Sequence, residues 1–333
     1  MLTALRRDGA VRLTLIAILS LLAIGITEAC SDSAAGRAEG HRDSVDNTVF
    51  DNTVFDNTVF GSNVWQAPGE DRRAAITRID DAYGPIGIAR VFSDWLPPKW
   101  GLLESDLGRR PLVVSFRVPP SRVLSGTADD RLLAWFRNAP VDRDTYWVYF
   151  HEPEDNVEQG DFTAQEFSDA WSHVARLAAS VDNPRLRATM ILMCWTVNET
   201  SGRDWHDYVP ASGEVDVLAW DCYAKGADAD SYAEPAELLE PARVASSEVG
   251  AEWAIAELGA RIQPGTGTDR AAWMEEVGDY AGHHGAVFVT WFDAPIGGEF
   301  QLTDEPSIRA WARLVRSAPR RRGGHRHRGG KGA

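Results

Sequence analysis

The chain has 333 residues, of which 44% are apolar and 25% are charged, so it can bury one large core or two smaller ones and is neither collagenous nor disordered as a whole. Its formal net charge is −15, although seven arginines and lysines lie between Arg316 and Lys331. The rest of the chain is therefore more acidic still, which excludes a nucleic-acid-binding body.

The first 30 residues differ from the rest of the chain. Three arginines precede an uncharged, largely apolar run at residues 13–26, which is short for a bilayer span and typical of an export signal. We therefore predict an exported protein, extracellular or anchored at the cell surface. Cys30 stands where a lipoprotein signal carries its acylated cysteine. Ordinary cleavage near Ala29 and a retained membrane anchor are the alternatives.

The pentapeptide "DNTVF" occurs three times in succession, at 46–50, 51–55 and 56–60. A period of five suits neither a helix nor a strand, and three copies are too few for a solenoid. We predict a linker over residues 31–57, whose last copy leads into the first strand. The Gly/Arg/His-rich residues 318–333 are predicted to be a disordered basic tail.

Residues 58–317 alternate short apolar runs with helical patterns, including a capping box formed by Thr163 and Glu166. Eight strands interleaved with helices over this length predict a single-domain (β/α)8 TIM barrel. A doubly wound open sheet is the alternative, although no Gly-rich phosphate loop follows an early strand. The predicted strands are Val59 to Trp65, Ile86 to Phe92, Leu112 to Phe116, Tyr146 to His151, Ala188 to Trp195, Val215 to Tyr223, Trp253 to Leu258 and Ala286 to Trp291.

Acids and aromatics follow the predicted strands, at the ends where barrel enzymes place their chemistry. Sugar rings pack on aromatic faces, and cleavage of a glycosidic bond needs one protonated and one ionised carboxyl group. Glu152 and Glu257 are the natural pair. The residues at the strand ends are Asp94, His151, Glu152, Trp195, Asp221, Tyr223, Glu257, Trp291 and Asp293. We expect His151, Trp195 and Asp221 to contact the substrate.

The segments "YFHEPE", "FSDAWSHVARLA", "WAIAELGA" and "VTWFDA" occur in this order along the chain. Together they resemble glycoside hydrolase family 26, the β-mannanase family, within the clan of retaining barrel glycosidases. The resemblance spans the whole barrel. It implies that Glu152 is the acid/base and Glu257 the nucleophile, acting on a β-linked, mannan-like polysaccharide in a monomer without cofactor or metal.

The same resemblance implies three further roles. Tyr223 would hydrogen-bond the nucleophile, Trp291 would floor the subsite of the reacting sugar, and Arg90 would lie near the nucleophile. The chain departs from the family directly after His151-Glu152. Where mannanases carry an asparagine or glycine and an aromatic stretch, this chain has "PEDNVEQGDF". We expect Glu154 and Asp155 there to be solvated loop acids, with binding of sugar hydroxyls as the alternative.

Two functions of other classes remain as alternatives. One is a non-catalytic carbohydrate-binding surface lipoprotein on a barrel scaffold. The other is a metallohydrolase using His151, Glu152, Asp155 and Asp161, although the sequence lacks a second nearby histidine at metal-binding spacing.

Cys194 and Cys222 both fall in apolar, strand-like segments. They are expected to be buried free thiols, with a bridge as the alternative in an oxidising compartment.

Overall fold

The computed structural model describes residues 57–210, 213–224, 232–262, 267–296 and 300–317. The predicted export signal, the first two copies of the repeat and the basic tail lie outside the described residues. Within the described ranges, no helix combines the length and the apolar character needed to cross a membrane.

Eight parallel strands close into a barrel in which each strand pairs with its neighbours in sequence and β1 pairs with β8. This confirms the predicted (β/α)8 fold and excludes the open sheet. The strands are β1 (Val59–Asn63), β2 (Ile88–Ser93), β3 (Leu112–Phe116), β4 (Thr145–Tyr149), β5 (Leu186–Met193), β6 (Val217–Tyr223), β7 (Glu252–Gly259) and β8 (Phe288–Trp291).

Helices follow the strands and surround the barrel. The predicted capping box is confirmed, because the Thr163 side chain accepts from the backbone of Glu166 while the Glu166 carboxylate accepts from the backbone of Thr163. The α-helices are α1 (Arg72–Tyr83), α2 (Trp100–Leu107), α3 (Pro120–Leu124), α4 (Asp129–Arg137), α5 (Glu154–Glu158), α6 (Ala164–Ala179), α7 (Pro235–Glu248), α8 (Gly267–His283) and α9 (Glu305–Ser317). Three 3-10 turns lie between β5 and β6, at Cys194–Val197, Glu199–Ser201 and Trp205–Asp207.

The core has two layers because side chains alternate along each strand. One set fills the barrel interior, where the Tyr146 and Phe288 rings meet at 4.8 Å. The other set packs between the strands and the helices, where the Phe60 ring meets Trp311 of α9 at 5.9 Å. This alternation decides which side chains near the strand ends face the barrel axis.

Candidate active site

A bulge in β7 positions Glu257. Trp220 of β6 is in register with Ile255, but the next residue, Asp221, is in register with Glu257, so Ala256 is extra. Ala256 belongs to the interior layer, and the bulge allows the following residue to face inward as well. Glu257 and Asp221 consequently lie side by side on adjacent strands.

Arg90 of β2 is the cation that joins these two acids. Its Nη1 lies 2.8 Å from Oδ1 of Asp221, and its Nη2 lies 3.0 Å from Oε1 of Glu257. The Tyr223 hydroxyl, at the end of β6, donates to the second oxygen of Glu257. A guanidinium and a hydroxyl donor thus contact the two oxygens of the Glu257 carboxylate. Arg90 and Tyr223 lie where they were predicted, beside Glu257.

Glu152 is the third acid of the same cluster. One carboxylate oxygen each of Glu152, Asp221 and Glu257 lie within 4.8 Å of one another. Burial, followed by the negative charges of Asp221 and Glu257, holds the pKa of Glu152 well above its usual range, while Arg90 opposes the shift. The protonated form of Glu152 is therefore favoured in comparison with an exposed glutamate.

Asp221 is a structural partner of Arg90 rather than a surface for substrate. Its side chain has no solvent exposure, so the expectation that it contacts substrate is wrong. Burial raises the pKa of Asp221 to about 8, and the Arg90 guanidinium works against that shift. Burial also disfavours the charged form of Arg90, but Asp221 and Glu257 outweigh it and raise the pKa of Arg90.

The Glu152, Asp221 and Glu257 oxygens also have a spacing that could hold a metal ion. Arg90 already pairs with two of these three carboxylates, so the cluster has a cation of its own. The set proposed for a metallohydrolase is not assembled. Asp155 pairs with Arg203 at 2.7 Å, and the Asp161 carboxylate accepts from the Asn156 amide at 2.7 Å.

His151 lies half-buried beside the acids, with its ring 5.3 Å from that of Phe92. Burial, and then the charges of Arg90 and Arg117, hold the pKa of His151 well below its usual range, so the ring is neutral. Its Nδ1 has no hydrogen-bond partner within the described part of the chain. The role of His151 in substrate contact remains a prediction.

Two tryptophans expose large surfaces next to strand ends. Trp195 follows β5, was predicted to contact substrate, and is 47% exposed. Trp95 follows β2 and is 45% exposed. Trp95 was not singled out from the sequence, although it directly follows Asp94.

Trp291 does not line a sugar-binding subsite. Its side chain is fully buried, its ring lies 5.5 Å from that of Trp311 on α9, and its indole N–H donates to the Phe300 carbonyl. Phe288 belongs to the interior layer, so simple alternation along β8 turns Trp291 outward to the helices. Phe292, an aromatic residue after β8, instead has its ring 6.0 Å from that of Tyr223, which hydrogen-bonds Glu257.

Glu154 is a second correction. It was expected to be a solvated loop acid, but it has no solvent exposure. Its Oε1 accepts from the Met193 backbone N–H and from the Thr196 hydroxyl, each at 2.8 Å. Burial raises the pKa of Glu154 to about 7. Asp155 is half-buried in its ion pair with Arg203.

Cys194 and Cys222 form a disulfide, with their Cα atoms 4.9 Å apart. The expectation of free thiols is therefore wrong, because β5 and β6 are neighbours and bring the two side chains together. The bridge joins the turn after β5 to the strand that carries Asp221 and Tyr223.

Arg117 was not predicted as a site residue, although it lies at a strand end. It directly follows β3, stacks its guanidinium 4.4 Å over the Phe150 ring, and donates to the Asn156 side chain at 2.6 Å. Reading the residue after each strand would have identified it.

Comparisons with known proteins give a fold rather than a family. No family model matches the chain, and no curated protein matches it in sequence. Solved structures do match, among them a glucosidase from Croceicoccus marinus (14% identity, TM-score 0.55, covering 78% of this chain and 67% of that one). An endo-β-1,4-glucanase from Xanthomonas axonopodis matches at 12% identity and TM-score 0.56, covering 78% of this chain and 100% of that one.

Thermotoga maritima Cel5A, solved with cellobiose, matches at 14% identity and TM-score 0.51, covering 78% of this chain and 96% of that one. The chain shares the fold of these barrel glycosidases. At such low identities the likeness concerns the fold alone, and the chemistry is argued from the site.

Proposed function

We propose that this protein is a retaining β-glycoside hydrolase in which Glu257 is the nucleophile and Glu152 the acid/base. The observation that carries the proposal is the pairing of two nearby carboxyl groups in opposite environments. Their oxygens lie within 4.8 Å of each other. This fits the roughly 5–5.5 Å of retaining enzymes rather than the roughly 6.5–9.5 Å that leaves room for a water in inverting ones.

In the first step a Glu257 oxygen attacks the anomeric carbon, and the bond from that carbon to the leaving-group oxygen breaks. Glu152 transfers its proton to the departing oxygen, so an alcohol leaves and a glycosyl ester remains. Arg90, through an ion pair, and Tyr223, through a hydrogen bond, hold the Glu257 carboxylate and fix the direction of its attack.

In the second step Glu257 is esterified and carries no negative charge. This removes one cause of the raised pKa of Glu152. Glu152, now ionised, takes a proton from water as the water oxygen attacks the anomeric carbon. The ester bond breaks, the Glu257 carboxylate and the Glu152 proton are restored, and the sugar leaves with its original anomeric configuration.

We propose a β-linked polysaccharide or oligosaccharide as substrate, with Trp195 and Trp95 as exposed surfaces for sugar rings. The sequence resemblance to family 26 favours a β-mannan. The structural neighbours include an endo-β-1,4-glucanase and a protein solved with cellobiose. A substrate panel must therefore contain both classes.

We also propose that the protein acts outside the cytoplasm, with Cys30 as a candidate lipid attachment site. The basic, then apolar, first 30 residues support export, and the Cys194–Cys222 disulfide is compatible with an oxidising compartment. Mass spectrometry of the mature N-terminus tests this. An intact Met1 on cytoplasmic protein contradicts export, and an unmodified Cys30 on exported protein contradicts lipidation alone.

The activity is tested with purified protein on β-mannan, glucomannan, β-1,4-glucan, mixed-linkage glucan and xylan. Proton NMR of the first product should show the β-anomer before mutarotation. Glu257→Ala should abolish turnover. Glu152→Ala should still release activated aryl leaving groups and then stall, with azide restoring turnover. Glu237→Gln, an exposed acid on α7, is the matched control and should behave as wild type.

An α-anomer as first product would contradict the retaining mechanism. Binding of a β-glycan without cleavage, in the wild type and in both glutamate variants alike, would favour the carbohydrate-binding alternative.

A further inference from the structure

The turn after β4 has an unusual backbone. Phe150 and Glu152 both adopt positive φ angles, of 50° and 49°, and they are the only non-glycine residues to do so in the described ranges. Such a conformation is strained for a residue with a side chain and persists only where surrounding contacts impose it. The direction of the Glu152 side chain therefore depends on the contacts that hold this turn.

Contacts on the N-terminal side hold the first half of the turn. The Phe150 N–H donates to the Phe116 carbonyl at 2.8 Å, and the Glu152 N–H donates to the Ile191 carbonyl at 3.1 Å. The Arg117 guanidinium covers the Phe150 ring at 4.4 Å. These contacts fix the backbone as far as the nitrogen of Glu152. The residues that follow Glu152 then set the ψ angle of Glu152.

Glu154 holds the other half. Its fully buried carboxylate accepts from the Met193 N–H and from the Thr196 hydroxyl, both at 2.8 Å, and so attaches the start of α5 to the turn after β5. Only Pro153 separates it from Glu152, with φ at −70°. The proline ring locks that angle, so a displacement of Glu154 is transmitted to Glu152 rather than absorbed.

We propose that Glu154 is a positioning residue for Glu152, holding its carboxyl group in the direction needed to protonate the leaving group. This inference rests on the proposed function. Hydrogen bonds from a backbone N–H and a hydroxyl to a buried carboxylate are strong and directional. A solvated loop acid at the same place would leave the second half of the turn free to relax.

The acidic residues around Glu152 are consistent with this role. Burial, and after it the charges of Asp221, Glu257 and Glu154, raise the pKa of Glu152. The Glu154 Oε2 is buried without a hydrogen-bond partner within the described ranges. When Glu154 is ionised, its charge acts on Glu152 across a buried region with little screening.

The test compares Glu154→Ala with Glu154→Gln. The amide keeps the Oε1 acceptor and the shape of the side chain, whereas alanine removes the hydrogen bonds to Met193 and Thr196. Glu158→Ala is the matched control, because Glu158 lies on the same helix, is exposed, and pairs with Arg203. Thr196→Val removes one of the two donors with little change in volume and leaves Glu154 in place.

The measurement is kcat/KM for aryl glycosides of the sugar that the wild type cleaves, with leaving groups from nitrophenols to unactivated alcohols. Misplacing Glu152 impairs proton donation, which matters most for poor leaving groups. Glu154→Ala should lose roughly 100-fold on poor leaving groups and little on dinitrophenyl glycosides. Thr196→Val should show the same trend more weakly, while Glu154→Gln and Glu158→Ala should retain most activity.

A loss of equal size on all leaving groups would overturn the positioning role and indicate a purely structural one, as would full activity in Glu154→Ala. If Glu154→Ala does not fold, the dependence of kcat/KM on the leaving group in Thr196→Val decides in the same way. A wild-type protein that cleaves neither a β-glycan nor an aryl β-glycoside would overturn the proposed function and this inference with it. An active wild type whose variants depend on the leaving group as the wild type does would overturn this inference alone.

Discussion

Arg90 and Asp221 form an ion pair at 2.8 Å in which neither side chain is exposed to solvent. Because Arg90 also contacts Glu257 at 3.0 Å, one buried cation serves two carboxylates. Removing Arg90 leaves two buried carboxyl groups without their cation, and breaking a buried pair in this way costs about 3–5 kcal/mol. Arg90→Met should lower the free energy of unfolding by that amount at pH 7, as measured by urea denaturation.

Arg309→Met is the control for this variant. Arg309 pairs with Glu305 on the exposed face of α9, and such surface pairs contribute about 0–1 kcal/mol. Losses of similar size in both variants would contradict the buried-pair argument.

Tyr223→Phe removes the hydroxyl that donates to Glu257. A hydrogen bond to a charged group contributes about 1.5–3 kcal/mol, so kcat should fall roughly 10- to 150-fold while the thermal midpoint changes little. Steady-state kinetics measure the loss. Tyr280→Phe is the control, because Tyr280 donates to Glu240 between α7 and α8, away from the acids, and its activity should equal that of wild type.

The Cys194–Cys222 bridge joins residues 28 positions apart in the sequence. By the chain-entropy estimate such a crosslink contributes roughly 3–4 kcal/mol. The double variant Cys194→Ser/Cys222→Ser should have a correspondingly lower free energy of unfolding, and the wild type should approach it when a reductant is added. A reductant that shifts the double variant as much as the wild type would show that the effect does not come from this bridge.

Glu154 should make stability depend on pH. Its folded-state pKa is about 7, against an ordinary 4.5, so between these values the folded state holds more proton than the unfolded state. Stability from this group is present below about pH 4.5 and is lost as the pH rises towards 7, by on the order of 3 kcal/mol.

Glu154→Gln cannot ionise, so its free energy of unfolding should fall less than that of wild type between pH 5 and pH 8. Urea denaturation at both values measures the difference. Parallel pH profiles for the two proteins would place the titration on other groups, of which Asp221 and Glu152 are the candidates.

The last copy of the repeat supplies Val59 and Phe60 to β1, and its Thr58 hydroxyl donates to the Ala286 carbonyl at 2.7 Å. Gly61 follows it, where a Cβ atom would overlap the carbonyl oxygen of Ile88, and the earlier copies are followed by aspartate instead. Deleting residues 46–55 should leave the thermal midpoint unchanged. Gly61→Ala should lower stability by at least about 1–3 kcal/mol through overpacking. A deletion that destabilised as much would show that the earlier copies contribute to the barrel.

The sequence by itself determined the order of the elements, because periodicity, caps and turn residues act locally. All eight predicted strands are present, and the prediction that Glu152 and Glu257 meet at one end of the barrel followed from their place at the ends of the fourth and seventh strands. The contact of Arg90 and Tyr223 with Glu257 could be anticipated in the same way, from strand position and the family resemblance.

Only the tertiary structure decided which way the side chains near the strand ends point. The bulge at Ala256 turns Glu257 inward, whereas unbroken alternation turns Trp291 outward. The burial of Glu154 and the disulfide at Cys194 both depend on β5 lying between β4 and β6. Such contacts follow from barrel closure, which pairs residues far apart in sequence, and no local pattern encodes them.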